Sequence, residues 1–368
     1  MPSSTSNSES RRGEARVVPD LPWARLCLLS TLLYLFCLAG WEVAMRHLGL
    51  QTGDLDDGRA YWAAERRKVD DGPRDPVVIV GDSRILFDTD LASWSKLTGI
   101  RPIQLALPGA NPQPFLHDLA NDEHFAGLAV VGTSEFSYFD DDDALEAPAI
   151  DYAKTESPSQ RVGNLVYKSL SRHFAFLDSN YTLFTLLERH RWPERAGVAG
   201  PYKDVWKVSE SFDDRQTYLW EQLEHDQDLR QHARDVWLSI YPGDVVSPEV
   251  VDHAIARARE DVEKIRARGG DVVWVRPPSA GPILDIERKR YPRAQAWDRL
   301  MAATSSQGVY FDDYPAMQNL NIPDYSHIAR SSAPAFTEAY VSVLVDRVDW
   351  LRRRTSLASG GSMKVTSK

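Results

Sequence analysis

A serine at the end of a β-branched run and an Asp-x-x-His pair far downstream carry the chemistry open to this chain. The run Val77-Val78-Ile79-Val80 stops at Gly81-Asp82-Ser83-Arg84, and Asp324-Tyr325-Ser326-His327 stands just before the last helical pattern. A serine hydroxyl is a weak nucleophile until an imidazole takes its proton and a carboxylate fixes the imidazole tautomer. The second segment can supply both groups from one short loop. In such an arrangement Ser83 is the nucleophile, His327 the general base and then acid, and Asp324 the orienting carboxylate, which is the working set for acyl transfer.

Those residues need a sheet to hold them. Strand patterns at 77–80, 102–107, 127–132, 271–276 and 308–312 alternate for the most part with helical periodicity, the sign of a parallel α/β sheet. Ser83 then falls at the carboxyl edge of the first strand, where open parallel sheets bind ligands. Arg84 and Arg276 belong to the same edge. They are candidates to hold a carboxylate or phosphate on a substrate, with ion pairing to Asp82, Asp312 or Asp313 as the plainer alternative. Between the third and fourth strands lies a long interruption, 136–245, which opens on the acidic run Asp140 to Asp143 and carries Trp192, Tyr202, Trp206, Tyr218, Trp220 and Trp237. It reads as a helical insertion tied at both ends near the catalytic edge. Most of its rings are expected to pack and a few to border the Ser83 pocket, shaping the acceptor site. A helix begins at Ser247-Pro248-Glu249 and stops at Gly269-Gly270. The last helix starts near Ser332 and covers the sheet with Phe336, Ala339, Tyr340, Val343, Leu344 and Val348.

Near the N-terminus, Leu26 to Trp41 is free of charge, and Trp23 and Trp41 flank it as interfacial anchors. Arg11, Arg12, Arg16 and Arg25 precede this stretch while only Arg46 and Arg59 follow closely. The positive-inside rule therefore predicts a cytoplasmic N-terminus and an extracytoplasmic domain. No small-x-small site follows, which favours an anchor over a cleaved signal. The predicted organisation is a disordered cytoplasmic tail at 1–22, a transmembrane anchor at 23–45, a linker at 46–75, a catalytic domain at 76–352 and a flexible tail at 353–368. Both cysteines, Cys27 and Cys37, fall in the anchor, and the histidines lack metal-ligand spacing, so neither a metal nor another cofactor is expected. A net charge of −10, with no basic block beyond the N-terminus, excludes nucleic acid as the expected partner.

With the serine after the first core strand and the Asp-His pair ahead of the final helix, 76–352 resembles the SGNH hydrolase superfamily, also called GDSL esterases. The resemblance implies a three-layer, flavodoxin-like parallel sheet of strand order 2-1-3-4-5, here with the helical insertion and an N-terminal transmembrane helix. It also implies an oxyanion hole built from the amides of Ser83 and Gly109, the latter within Leu107-Pro108-Gly109-Ala110-Asn111. The family's third block is a Gly-x-Asn-Asp, and this chain has Gly132-Thr133-Ser134-Glu135 instead. The asparagine is missing, leaving Ser134 or Asn111 as substitute donors, and one lost oxyanion donor typically costs about a hundred- to a thousandfold in turnover. Variant blocks of this kind resemble those of membrane-bound members that move acetyl groups to or from cell-surface polysaccharides. What the resemblance implies is a membrane-anchored serine esterase or O-acyltransferase, periplasmic in a Gram-negative cell. Its expected partners are an acylated polysaccharide or other glycan and other membrane proteins of a polysaccharide pathway. The alternative is a catalytically inactive SGNH-like scaffold in a polysaccharide export or modification complex.

Overall fold

Four β-branched residues in a row lose rotamer freedom in a helix and pack well on a pleated surface, and Val77–Val80 forms a fully buried strand, β1. The computed structural model describes residues 20–139, 146–189, 207–241 and 245–362. Along them follow β2 (Ile103–Gln104), β3 (Leu128–Gly132), β4 (Ser209–Ser211), β5 (Thr217–Leu219), β6 (Asp271–Arg276) and β7 (Gly308–Tyr310). Five of these make one parallel sheet in the order β2-β1-β3-β6-β7. Its register is set by pairs such as Val78 with Ile103, Val77 with Leu128, Leu128 with Asp271 and Trp274 with Gly308. β1, β3 and nearly all of β6 are buried along their whole length, as strands with both faces covered must be. The helices Pro112–Asn121, Pro248–Ala267 and Trp297–Thr304 pack together, and Leu91–Thr98 packs with Ala333–Arg347.

This order puts a topological switch between β1 and β3. The chain leaves β1 toward β2 on one side and leaves β3 toward β6 on the other, so their carboxyl ends open onto a crevice. Two glycines let the following helix sit directly on those ends. A Cβ on Gly81 would fall 2.3 Å from Ile85, and one on Gly132 would fall 2.2 Å from it.

The structure adds detail to the predicted organisation. The predicted linker 46–75 includes a helix that packs on the domain. Its Arg59–Asp71 helix buries Tyr61, Trp62 and Val69, and Trp62 stacks on Phe115 at 5.2 Å and donates its indole N–H to the Leu105 carbonyl at 2.9 Å. Arg66 of the same helix is tied to Asp118 and Asp122, both at 2.8 Å. Part of the expected flexible tail is helical, since Asp349–Ser362 continues the chain after Ala333–Arg347. The insertion holds an antiparallel hairpin, β4 with β5, besides its helices. Trp192, Tyr202, Trp206 and the acidic run Asp140 to Asp143 lie outside the described residues, as do 1–19 of the N-terminal tail.

The apolar segment near the N-terminus is a helix, Trp23–His47, long and apolar enough to cross a membrane, with large side chains such as Leu29, Leu33 and Phe36 exposed. Its last turns do not swing free. Met45 is buried with Leu50, Ala175, Tyr181, Trp220 and Leu223, and Glu42 accepts hydrogen bonds from the amides of Ala175 at 3.1 Å and Phe176 at 3.0 Å.

Candidate active site

Ser83 is the first residue of the short helix that follows β1, and Asp82 caps that helix by accepting from the Arg84 amide at 3.0 Å. Asp324 and His327 reach the same place from a loop 241 to 244 residues further on, across which His327 Nε2 lies 2.8 Å from Ser83 Oγ. On the other side of the ring, His327 Nδ1 is 2.7 Å from Asp324 Oδ2. A proton on Nδ1 donated to the carboxylate leaves Nε2 as the acceptor facing the serine hydroxyl. The three residues proposed for nucleophile, base and orienting acid are brought together in that order.

Asp324 is fully buried and answers for every lone pair it exposes. Oδ1 accepts from the amides of Ser326 at 3.0 Å and His327 at 2.8 Å, and Oδ2 accepts from His327 and from the indole N–H of Trp237 at 2.9 Å. Burial by itself raises this carboxyl, but attraction to His327 and the hydrogen bonds from His327 and Ser326 outweigh it and hold it below the ordinary aspartate range. It stays an anion where a developing imidazolium needs one.

Trp237 belongs to the Gln227–Ile240 helix of the insertion, and its indole also meets the His327 ring edge-on with centroids 5.9 Å apart. One turn earlier, Arg234 donates to the Pro323 carbonyl at 2.7 Å and lies 4.2 Å over the Tyr325 ring. Tyr325 itself holds the left-handed conformation at φ 71°. Asp88 braces the loop from below, accepting from the Ile328 amide at 2.9 Å. Burial pushes its carboxyl well up, beyond what the Ile328 hydrogen bond and the Arg84 charge recover. Nothing in the sequence marked Trp237, Arg234 or Asp88 for this task, although an aromatic and a cation three residues apart on one helix share a face.

Of the oxyanion candidates, Gly109 sits in a turn at φ 72°, closed by the Ala110 amide on the Leu107 carbonyl at 3.2 Å. It borders the same cavity as Ser83. Asn111 also borders it, with its side-chain oxygen committed to capping the next helix through the Gln113 amide at 2.9 Å. Ser134 corrects the expectation placed on it. Its hydroxyl donates to Asp82 Oδ2, which also accepts from Ser137 at 2.7 Å, so the Ser134 proton is already engaged.

The two arginines are corrected as well. Both form ion pairs, the plainer alternative, but the partners differ from those expected: neither pairs with Asp312 or Asp313, which are bound to Arg288 and Arg293. Arg84 and Arg276 are each 1% exposed and share one buried carboxylate, Glu287, at 2.5 and 2.6 Å. Arg276 also binds Glu135 at 2.9 Å, Ser279 donates to Glu287 at 2.6 Å, and Arg84 donates to Tyr241 and Ser326. Two cations and two anions thus form one internal network beneath the crevice. Despite its burial, the two guanidinium charges hold Glu287 down to about 2. The only expected partner that touches Arg84 is Asp82, through the backbone amide.

Above the network opens a cavity of about 650 Å³. Ser83 and His327 line it, together with Phe87, Pro108, Gly109, Phe136, Trp237, Ile240 and Tyr241. Phe136 and Tyr241 lie against each other, tilted, with centroids 4.5 Å apart. Four of these residues, Phe136, Trp237, Ile240 and Tyr241, come from the insertion, which was expected to border the Ser83 pocket.

No protein-family model matches this chain, and no curated protein matches it. What the site does has to be argued from its geometry.

Proposed function

We propose that this chain is a membrane-anchored serine esterase or O-acyltransferase of the SGNH type, acting on acyl esters, in the simplest case acetyl esters, of an extracytoplasmic glycan. The observation that carries this reading is the Ser83–His327–Asp324 relay at the mouth of the cavity, at the switch point of the sheet. The strand order and the position of Ser83 after the first strand are also those the resemblance implied.

In this reading Ser83 Oγ attacks the ester carbonyl as its proton passes to His327 Nε2, and Asp324 stabilises the imidazolium. The tetrahedral oxyanion takes hydrogen bonds from the backbone amides of Ser83 and Gly109. Collapse expels the alcohol, which receives the proton from His327, and leaves an acyl-Ser83 ester. Water or a sugar hydroxyl then gives up a proton to His327 and attacks that ester, releasing the acid or the new ester and restoring Ser83. Aromatic walls suit the apolar faces of sugar rings. Other membrane proteins of the same pathway would supply the acyl group or present the polymer.

A catalytically silent scaffold is the second reading, favoured by the engaged hydroxyl of Ser134 where the family has an asparagine donor. One experiment separates the two. The full chain in detergent is treated with a fluorophosphonate, and with a polysaccharide carrying radiolabelled acetyl groups. Covalent label on Ser83 together with acetate release or acetyl transfer is expected; a chain inert to both would leave the scaffold.

The brace on Asp324 is testable separately. Trp237→Phe keeps the ring and removes one donor to a buried carboxylate, a hydrogen bond worth about 1.5–3 kcal/mol. Turnover of an activated acetyl ester should fall roughly ten- to a hundredfold through kcat, with KM little changed. A variant with native kcat would show that the indole contributes packing alone.

A further inference from the structure

Amphipathic helices of water-soluble domains turn their apolar stripe inward. The Pro158–Ser171 helix does the reverse. Its inward face is polar: Asn164 donates to the Ala60 carbonyl at 3.4 Å, the Tyr167 hydroxyl accepts from the Asp56 amide at 3.0 Å, and the Ser171 carbonyl accepts from the Gly53 amide at 2.7 Å. Its outward face carries Val162, Leu165, Val166 and Leu170, exposed by 58, 66, 52 and 46%. Phe174 continues this stripe, and Leu183, Phe184 and Leu187 add a second exposed apolar run, Phe184 at 78%. Monomeric domains in water rarely leave so many large apolar side chains open in one region of the chain.

The stripe ends against the Trp23–His47 helix. Arg46 donates to the His173 carbonyl at 3.4 Å, and the amides of Ala175 and Phe176 donate to Glu42. If that helix crosses a bilayer, its hydrocarbon span of about 30 Å, at about 1.5 Å per residue from Trp23, runs out near Trp41 and Glu42. Residues 173–176 are bonded to the chain at this level.

We propose that the outward face of Pro158–Ser171, with Phe174 and the Leu183–Leu187 run, is a second membrane contact that rests in the lipid headgroup layer beside the anchor. Its ligand is the bilayer surface itself, and continuity with the anchor is the reason for choosing lipid over a protein partner. The inference rests on the reading of Trp23–His47 as a membrane span.

The test uses the full chain, with Cys27→Ala and Cys37→Ala, in phosphatidylcholine–phosphatidylglycerol vesicles. A single cysteine at Val166, Phe184, Leu33 or Glu263 carries an environment-sensitive fluorophore, and doxyl-labelled lipid is the quencher. Labels at Val166 and Phe184 should be quenched roughly threefold more than the one at Glu263, as expected for side chains about 5–10 Å into the headgroup–acyl boundary. Quenching at Leu33 with none above the Glu263 level at the other two sites overturns the inference and leaves the anchor standing. Absence of quenching at Leu33 takes both down. Shielding of Val166 and Phe184 from lipid quencher and from iodide alike, with a doubled particle mass, makes this face a contact between two copies and also overturns the proposal.

Discussion

Ser83→Ala is expected to lower turnover of an activated acetyl ester by on the order of ten thousand- to a millionfold and to abolish fluorophosphonate labelling, because among the described residues no other hydroxyl is bonded to His327 Nε2. His327→Ala should cost a similar factor. The double variant should be little worse than either, since the two side chains act as one unit and their losses do not multiply. Asp324→Asn tests the third member by a different route. An amide in this pocket can offer its N–H to His327 Nδ1, which favours the tautomer with its proton on Nε2, and a loss of roughly ten thousandfold follows from that error alone. Initial rates on a nitrophenyl acetate with the full chain decide the matter. A Ser83→Ala protein still within about tenfold of the native rate would remove the acyl-enzyme from consideration.

The second large effect concerns stability. Glu287→Leu should destabilise the fold by about 3–5 kcal/mol, because it strands the two guanidinium groups of Arg84 and Arg276 without their common counter-charge. Arg84→Met and Arg276→Met, added to Glu287→Leu, should recover much of that loss, leaving Glu135 as the remaining cost. The pH dependence follows from the depressed carboxyl. Glu287 goes from 4.5, its ordinary value, to about 2 in the fold, so the unfolded chain takes up its proton first as acid is added. Its contribution is therefore complete above roughly pH 4.5 and is lost as the pH falls toward about 2. Urea unfolding between pH 6 and 3, native chain against Glu287→Gln, reads this directly, with numbers of the order set by linkage. A native chain whose stability falls no faster than the variant's on acidification would mean that the network is not ionised as drawn.

The parts of the site that were legible are those written locally. A buried β-branched strand announces itself in four residues, Gly81 and Asp82 mark the turn, and Asp324 and His327 lie in one loop three residues apart. What stayed hidden depends on packing between distant segments. Glu287 is 203 residues from Arg84, and nothing in the Gly281–Arg290 helix distinguishes it from a solvated glutamate until the sheet brings both arginines to it. Trp237 had the same composition-level meaning as any other ring of the insertion. The helical pattern of Arg59–Asp71 was legible, but its packing was not: Arg66 is neutralised by Asp118 and Asp122 across the interface, and the few apolar positions suffice to bury the helix. β4 and β5 are three residues each and contain Ser, Glu and Thr, too short and too polar for a period-2 signal. Ser134 shows the limit of motif substitution: the residue type allowed a donor, but the neighbouring Asp82 claims the proton.

Glu42 clamped to the amides of Ala175 and Phe176 has a mechanical meaning. A catalytic head on a flexible leash samples a hemisphere, and its encounter rate with a surface-bound substrate is set by leash length through an effective concentration. Here the helix end is bonded directly to the domain, with Glu42 on the Ala175 and Phe176 amides. Under the proposed function, the Ser83 cavity would stay close to the end of the Trp23–His47 helix and would work as a fixed station past which acyl donor and polymer are carried. Selectivity would then follow partly from geometry alone, because an ester that never comes within reach of that station would not react, however well it would fit.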